Sequence, residues 1–225
     1  MRQILQYLRR HHVTDTHTIN RLFVSAFVAT NQLKVSGNSF LRNYLIAKEE
    51  SHTEHLLWIL RRICKANIRF GLEELISLFE FVVSPSDRII TGAIYTPKSV
   101  RGKIICQCLR GVAADKLMMI KIADISCGCG GFLMDAALYV HQSTGRSFAE
   151  IYRENIFGID IEPYSIERTK IVLSLLALMH GEDGVYEFNL LCADTLCSRT
   201  ETFDEQFRHF DIIIGNPPYV CSRNM

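Results

Sequence analysis

Apolar residues recur every three to four positions through the first third of the chain, which is the spacing of one helix face. This pattern predicts helices over residues 2–11, 17–31, 39–48, 53–67 and 72–82. Asn38 and Ser39 are candidate N-caps of the third helix, and Gly71 interrupts the chain before the fifth. Residues 1–83 are therefore predicted to form a small helical domain.

The pattern changes beyond a polar linker at residues 84–87, where short β-branched runs alternate with helical ones. Apolar runs of this kind are typical of strands buried on both faces in a parallel sheet. Residues 84–225 are therefore predicted to form an open α/β sheet with its functional residues along the carboxyl edge. The predicted strands are 121–125, 156–159, 185–191 and 211–214, and the predicted helices are 97–109, 131–140, 148–153 and 163–180.

With 225 residues and 48% hydrophobic content, the chain is long and apolar enough to bury a sizeable core. No apolar run reaches the roughly 18 residues that a membrane-spanning helix needs. The polar start of the chain also lacks the apolar centre and cleavage site of a signal peptide. We therefore expect a soluble, cytoplasmic protein with no membrane partner.

Eight cysteines and eight histidines raise the question of disulfides or a metal site. The cysteines form no C-x-x-C pair and stand mostly in apolar segments, which favours reduced, buried thiols. Five of the histidines lie in the helical domain without a carboxylate or cysteine to complete a ligand set, so solvated helix faces are favoured over a metal site. The cysteines are Cys64, Cys106, Cys108, Cys127, Cys129, Cys192, Cys197 and Cys221.

The formal net charge of +1 hides a difference between the two parts of the chain. Residues 1–90 hold 12 Lys and Arg against 8 Asp and Glu, whereas residues 91–225 hold 13 against 16. If the chain handles nucleic acid, its phosphate-binding surface must therefore come partly from outside the mildly acidic second part.

A glycine-rich loop, Ser126-Cys127-Gly128-Cys129-Gly130, connects the first predicted strand to a helix. Such a loop removes Cβ atoms where a ligand approaches the backbone and directs helix N–H groups at an anionic group. Asp160 ends the next predicted strand, at the position of an acidic residue that binds ribose hydroxyls. Because no basic residue stands ready for a pyrophosphate, a nucleoside with a small zwitterionic tail fits better than a dinucleotide. S-adenosylmethionine has that chemistry.

Two further segments are open to both a functional and a capping interpretation. Thr96 is a good N-cap with Pro97 at the first helical position, while the preceding Tyr95 would put a ring beside the helix N-terminus. Asp194 follows the third predicted strand, where it can accept a hydrogen bond from an exocyclic adenine amine or cap its own loop.

The fourth predicted strand ends in Gly215, Asn216, Pro217, Pro218 and Tyr219. Glycine permits a sharp turn, the prolines remove two backbone donors, and the asparagine and tyrosine supply an amide and a flat ring. The segment is either an ordinary proline-rich turn or a site that accepts hydrogen bonds from an amino group on a planar ring.

Five segments of the second part occur together in a fixed order: Tyr95-Thr96-Pro97, Asp124-x-x-Cys127-Gly128-x-Gly130-Gly131-Phe132, Gly158-x-Asp160, Asp194 and Asn216-Pro217-Pro218-Tyr219. The set resembles the adenine-specific DNA methyltransferases of restriction–modification systems, in particular type I modification subunits and fused type II enzymes. The resemblance spans about residues 90–220.

Two features depart from the family. Ile125-Ser126 stands where the family usually has Pro-Ala, and the chain stops at Met225 where the family continues with further strands and a target-recognition domain. The resemblance therefore implies a partial Rossmann-like, S-adenosylmethionine-dependent methyltransferase fold behind the helical domain, in a chain that is a fragment or depends on another polypeptide.

The resemblance implies methyl transfer to the N6 amine of an adenine flipped out of the DNA duplex. Asn216 and the Pro217 carbonyl would accept the amine hydrogens beside Pro218, and Tyr219 would stack on the base. The implied cofactor residues are Tyr95, Thr96, Pro97, Asp124, Ser126, Cys127, Gly128, Gly130, Asp160, Ile161 and Asp194.

Other functions stay open at this point. A glutamine methyltransferase of release factors has the same Asn-Pro-Pro-Tyr motif, and an RNA methyltransferase of adenine or guanine is a further alternative. In a third interpretation the chain binds cofactor or a partner subunit without methylating anything, since its fourth strand would be an uncovered sheet edge. The helical domain would contact either the DNA backbone or a specificity or restriction subunit.

Overall fold

The computed structural model describes residues 2–47, 50–67, 69–82, 96–196, 207 and 209–218. The chain forms two compact units. The helical unit comprises Met1–Val83 and Ser174–Val185, and the sheet unit comprises Ser84–Leu173 and Tyr186–Met225. Together they give a mixed architecture of helices and a parallel sheet, as the sequence predicts.

The helical unit is built around its second helix, which is buried along most of its length. Phe23 and Phe27 of this helix pack against Phe79 and Phe70, with ring centroids 5.8 and 6.0 Å apart. Burying side chains of this size stabilises the fold by about 2–3 kcal/mol each. The helices of this unit are α1 Arg2–Arg10, α2 Thr16–Thr30, α3 Ser39–Arg42, α4 Thr53–Ala66 and α5 Leu72–Val82.

The prediction of a helix over residues 39–48 is wrong beyond Arg42. Asn38 caps α3 as predicted, since its side chain accepts from Leu41 N. The backbone that follows α3 does not continue the helix but is hydrogen-bonded to a side chain of α2. Ser25 Oγ donates to Tyr44 O and accepts from Ile46 N. Those side-chain bonds satisfy backbone groups that a continued helix would have used.

The sheet unit contains a four-stranded, fully parallel sheet in the order β3-β2-β1-β4. Ile122 pairs with Ile156 on one side and with Ile212 on the other. The strands are β1 Ile122–Asp124, β2 Ile156–Asp160, β3 Asn189–Cys192 and β4 Ile212–Ile213. The helices are α6 Lys98–Leu109, α7 Ala114–Met119, α8 Gly131–Thr144, α9 Phe148–Glu154 and α10 Pro163–Met179, of which α10 continues into the helical unit.

Aromatic rings fill one layer of the sheet core. Phe157 of β2 lies 5.7 Å from the Phe207 ring and 5.4 Å from the Phe210 ring, in a buried cluster with Ala123 and Ile159. Because Phe207 and Phe210 precede β4, this packing fixes the approach of the chain to its last strand. Asp211 reinforces it, since Asp211 Oδ2 accepts from Lys121 N at 2.8 Å.

The third strand begins four residues later than predicted, at Asn189 instead of 185. The rings of Tyr186 and Phe188 pack on Tyr152 of α9, with centroids 5.4 and 5.2 Å away. The Asn189 side chain donates to the carbonyls of Tyr152 and Arg153. Packing on α9 therefore replaces strand pairing over residues 185–188.

The prediction that the cysteines are mostly buried is also wrong for the described residues. Cys127 and Cys129 are buried, but Cys64, Cys106, Cys108 and Cys192 are exposed, and all six are free thiols. Cys197 and Cys221 lie outside the described residues.

In the described part of the chain no helix is long and apolar enough to cross a membrane.

Candidate functional site

The strand order places a reversal at β1. The chain moves from β1 to β2 and β3 on one side and then returns to add β4 on the other. In open parallel sheets, ligands bind outside the carboxyl ends of the strands at such a reversal. The residues that follow β1 and β4 are therefore the first to consider.

Asp124 ends β1 and is only 2% exposed. Its Oδ1 accepts a hydrogen bond from Ser126 N at 3.0 Å. Burial raises the pKa of Asp124 to about 7; the Ser126 N–H opposes that shift, and the negative charge of Asp160 adds to it. A buried carboxyl with so few donors is stabilised as an anion by any cation that binds beside it.

The end of β2 is bonded to the glycine loop. Asp160 Oδ2 accepts from Gly128 N at 2.8 Å, and its Oδ1 accepts from Glu162 N at 2.9 Å. Thr169 Oγ1 of α10 donates to Gly128 O at 2.9 Å, and Gly128 has a positive φ of 53°. The backbone at Gly128 is thus held from both sides, in a conformation that favours glycine.

Gly130 and Gly131 leave room for side chains of the same unit. A Cβ on Gly130 would lie 2.8 Å from Thr169 Cγ2, and one on Gly131 would lie 3.0 Å from Arg101 Cζ. Close packing within the protein therefore accounts for the missing side chains at both positions. Gly130 can therefore contact the predicted cofactor only through its backbone.

Cys127 lies behind this loop with its thiol facing inward. Its Sγ is 3.9 Å from Thr169 Oγ1, and burial raises the pKa of the thiol well above its ordinary value. The thiol is therefore protonated at neutral pH. Cys127 is not a reactive nucleophile, because nucleophilic cysteines are thiolates.

The prediction that Thr96 caps α6 is wrong: Pro97 is the N-cap and the helix begins at Lys98. Thr96 O instead accepts from Arg101 Nη1 at 2.9 Å, because Arg101 turns back to the segment that precedes its own helix. Arg101 is 4% exposed and forms an ion pair with Asp135 of α8 at 3.0 Å. Arg101 therefore fixes the Thr96 backbone and lies against Gly131 at the start of α8.

Sequence reasoning missed Arg101 and Asp135. An arginine one turn into a helix usually faces solvent, and a buried pair 34 residues apart in the sequence leaves no periodic signal.

Two hydroxyls near these loops, Thr96 Oγ1 and Ser126 Oγ, are buried and form no hydrogen bond of ordinary geometry among the described residues, although the Ser126 hydroxyl is close enough to Asp124 to lower the pKa of that carboxyl. A buried polar atom without a partner costs about 1–3 kcal/mol. A ligand with polar groups is one source of the missing bonds.

The segment after β4 crosses the end of β1. Ile214 N donates to Ala123 O at 2.8 Å, and a Cβ on Gly215 would lie 2.6 Å from Asp124 Oδ1 and 3.6 Å from Ser126 Oγ. The two loops are thus in contact immediately before Asn216. Asn216 is half-buried, whereas Pro217 and Pro218 are exposed.

Asp194 follows β3 and belongs to the same edge, because Ala193 N donates to Asp160 O at 3.0 Å. Its Oδ1 accepts from Leu196 N at 2.9 Å, so the side chain does cap its own loop. Ile161, next to Asp160, is 60% exposed. Tyr95 and Tyr219 lie outside the described residues.

No group of three or more His, Cys, Asp or Glu side chains is placed to hold a metal ion in the described part of the chain. The strand ends instead gather two carboxylates, Asp124 and Asp160, around a glycine loop. This arrangement suits a ligand with both a cationic group and hydroxyl groups.

Residues 154–225 match the family model of the Eco57I restriction-modification methylases. The chain is 22% identical over 182 residues to the type II restriction enzyme and methyltransferase RM.Eco57I of Escherichia coli, an alignment that covers 61% of this chain and 18% of that protein.

The fold is similar to that of a DrdV chain in a cryo-EM structure of a DrdV–DNA complex. The TM-score is 0.57 at 19% identity, over 91% of this chain and 23% of that one. The chain thus spans about a fifth of the length of both proteins. The sequence similarities support a relationship to restriction–modification methylases.

Proposed function

We propose that the chain is an adenine-specific DNA methyltransferase of a restriction–modification system, with S-adenosylmethionine as methyl donor and a Rossmann-like methyltransferase fold in its sheet unit. The observation that carries this proposal is the contact of Gly215 with Asp124, because it joins the predicted acceptor loop to the predicted cofactor loop. The similarity to restriction–modification methylases supports the choice of DNA.

The residues at the ends of β1 and β2 fit S-adenosylmethionine. The ammonium group of its methionine part suits Asp124, since a cation stabilises the ionised form of a buried carboxyl. The buried hydroxyls of Thr96 and Ser126 suit the polar groups of the same part. Asp160 accepts two backbone N–H groups and keeps lone pairs for ribose hydroxyls. When bound, the cofactor supplies an electrophilic methyl group.

The remaining cofactor residues act through the backbone or by shape. Gly128 offers a backbone that a ligand can approach closely, and the exposed Ile161 offers an apolar surface for adenine. Asp194 would accept from the adenine amine. The other members of this set are Tyr95, Pro97, Cys127 and Gly130.

The loop after β4 would activate the target amine. The lone pair of an adenine amine is delocalised into the ring, so the nitrogen is a weak nucleophile. Asn216 Oδ1 and the Pro217 carbonyl would each accept one N–H, which favours tetrahedral geometry and localises the lone pair. Neither Pro217 nor Pro218 carries an N–H, so the loop presents acceptors to the amine. Tyr219 would stack on the flipped base.

Replacing Asn216 tests this assignment directly. We expect Asn216→Ala to lower methyl transfer by at least about 100-fold, because one of the two acceptors for the amine is lost. Affinity for S-adenosylmethionine should change only a few fold, since Asn216 does not serve the cofactor. Calorimetry measures the affinity, and labelled-methyl transfer to DNA, RNA and protein measures the reaction.

Asn43→Ala is the matched control, because Asn43 is exposed and lies in the helical unit. Retained methylation in Asn216→Ala would refute the role of Asn216. Transfer of label to RNA or protein in place of DNA would refute the substrate.

A further inference from the structure

An aromatic cluster lies on the surface of the helical unit, where α1 meets α4. Tyr7 and Trp58 stack with ring centroids 3.8 Å apart and an angle of 8° between their planes. His11 packs on Tyr7 at 4.2 Å, and His55 Nδ1 is 3.0 Å from Tyr7 Oη. The rings hold one another in place although the core of the unit lies elsewhere.

The cluster lines an open groove of about 470 Å³. Gln3, Gln6 and Arg10 supply the polar lining of this groove, together with Tyr7, His11 and Trp58. Amide and guanidinium N–H groups are hydrogen-bond donors, and no carboxylate lines the groove among the described residues. The groove is thus suited to an anion that also presents flat surfaces.

The two helices are strongly basic. Together α1 and α4 carry six Lys and Arg residues against a single acidic residue, Glu54. Arg61 and Arg62 follow Trp58 by about one turn, so they continue the same side of α4. The six cations are Arg2, Arg9, Arg10, Arg61, Arg62 and Lys65.

None of these six cations forms an ion pair within the described part of the chain. Other arginines of the protein do pair, for example Arg21 with Glu50 and Arg101 with Asp135. The two helices therefore present a positive charge that the described part of the protein leaves uncompensated. Such a field attracts polyanions.

We propose that the Tyr7–Trp58 face, defined as the groove lining together with Arg61, Arg62 and Lys65, binds the phosphate backbone of DNA. The choice of DNA rests on the proposed function. Arginine, lysine and glutamine side chains are the usual phosphate contacts of DNA-binding proteins. The face and DNA are complementary in charge, because the groove is lined by hydrogen-bond donors and a cation, and the DNA backbone is a dense row of phosphates.

The test compares two double variants of the full chain. Arg10→Gln with Arg61→Gln removes two cations from the Tyr7–Trp58 face, and both side chains are exposed, so the fold should tolerate the change. Lys34→Gln with Arg42→Gln removes two exposed cations from elsewhere in the helical unit and is the matched control. Both variants change the net charge equally.

Fluorescence anisotropy with a labelled DNA duplex and the corresponding single strand, titrated between about 50 and 200 mM salt, gives affinity and its salt dependence. We expect the Arg10 and Arg61 variant to reduce the steepness of the plot of log K against log salt for the duplex by about 2. Affinity at about 0.1 M salt should then fall by about 10- to 100-fold. The control should change affinity by no more than about threefold.

Equal losses in the two variants, or no loss in either, would overturn the assignment of this face. Competition by poly-glutamate as effective as that of DNA would also overturn it and indicate an acidic protein partner. The proposed function fails separately: a chain that binds DNA through this face but transfers no methyl group to it would contradict methylation alone.

Discussion

Asp183 of the helical unit and Asp124 of the sheet unit both accept backbone N–H groups, yet the pKa values of the two carboxyls are shifted in opposite directions. In the helical unit, Asp183 accepts from three N–H groups of residues 36–38. Burial opposes its charge, but these bonds outweigh burial and lower the pKa to about 2. In the sheet unit, Asp124 accepts from Ser126 N and is buried, which raises its pKa to about 7.

The opposite pKa shifts distinguish a carboxylate that stabilises the fold from one that is suited to bind a ligand. Asp183 has its donors within the protein, so its charge stabilises the fold. Asp124 has few donors, so its charge costs free energy until a cation binds. Sites of function commonly sacrifice stability in this way. The contrast therefore predicts opposite outcomes when the same substitution, aspartate to asparagine, is made in each unit.

Asp124→Asn should have the largest effect. We expect affinity for S-adenosylmethionine to fall by at least about 100-fold, because the ammonium group loses its anionic partner. The fold should become more stable at the same time. In the parent chain the pKa of Asp124 is raised in the folded state, so the contribution of this group to the free energy of unfolding is most favourable below pH 3.8. That contribution is lost as the pH rises through about 7, by up to about 4 kcal/mol.

Calorimetry and urea unfolding at about pH 5 and pH 8 measure both effects. The asparagine variant should lose most of the pH dependence that the parent chain shows in this window. A variant that binds the cofactor normally, or that is less stable than the parent at pH 8, would remove the distinction between the two aspartates.

Gly215→Ala tests the contact between the two loops of the sheet unit. A Cβ 2.6 Å from Asp124 Oδ1 forces either the Asp124 carboxyl or the loop that carries Asn216 to move. Displacing a reacting group by about 1 Å lowers a rate by about 100-fold, so methyl transfer should fall by that order while the fold persists. Initial rates of labelled-methyl transfer measure it.

Gly102→Ala is the control, because nothing lies within 4 Å of its added Cβ and it stands inside α6. It should leave the rate unchanged and stabilise the helix by about 0.5–1 kcal/mol. Equal rates for the two variants would show that the loop contact is not needed for transfer.

What the sequence predicts depends on whether an element is held by local or by distant contacts. The bounds of α5 agree with the prediction because its apolar spacing and the Gly71 break act locally. The helix predicted over 39–48 fails after Arg42, because Ser25 from another helix takes its backbone groups. α7 has only six residues and no side-chain cap, so it leaves no sequence signal. Local patterns predict elements that depend on local physics.

At the candidate site the sequence identifies the residue types but not their partners. The glycine loop and the carboxylate at the end of β2 are predictable from the strand–loop–helix pattern, and both lie at the carboxyl edge. The sequence does not predict the burial of Arg101 or the packing of Gly130 on Thr169, since both depend on contacts between distant segments. Tertiary packing thus decides which glycines serve a ligand and which serve the core.

Asp183→Asn should have the smallest effect, and its sign should be opposite to that of Asp124→Asn. An asparagine has a single acceptor oxygen and no charge, so the turn at residues 36–38 is held less firmly. We expect the free energy of unfolding to fall by about 1–2 kcal/mol. The value is modest because the carboxylate is partly in contact with solvent. A lowered native pKa contributes stability that is present above pH 3.8 and lost as the pH falls through about 2.

Urea unfolding between about pH 2 and pH 6, with hydrogen exchange at the amides of Ser36, Gly37 and Asn38, measures the loss and locates it. Glu187→Gln removes one exposed carboxylate and is the control. Faster exchange confined to those three amides, with cofactor affinity unchanged, is the expected result. If Asp183→Asn instead weakened cofactor binding as Asp124→Asn does, the two aspartates would belong to one functional system, because a purely structural carboxylate has no means of distinguishing the bound from the free protein.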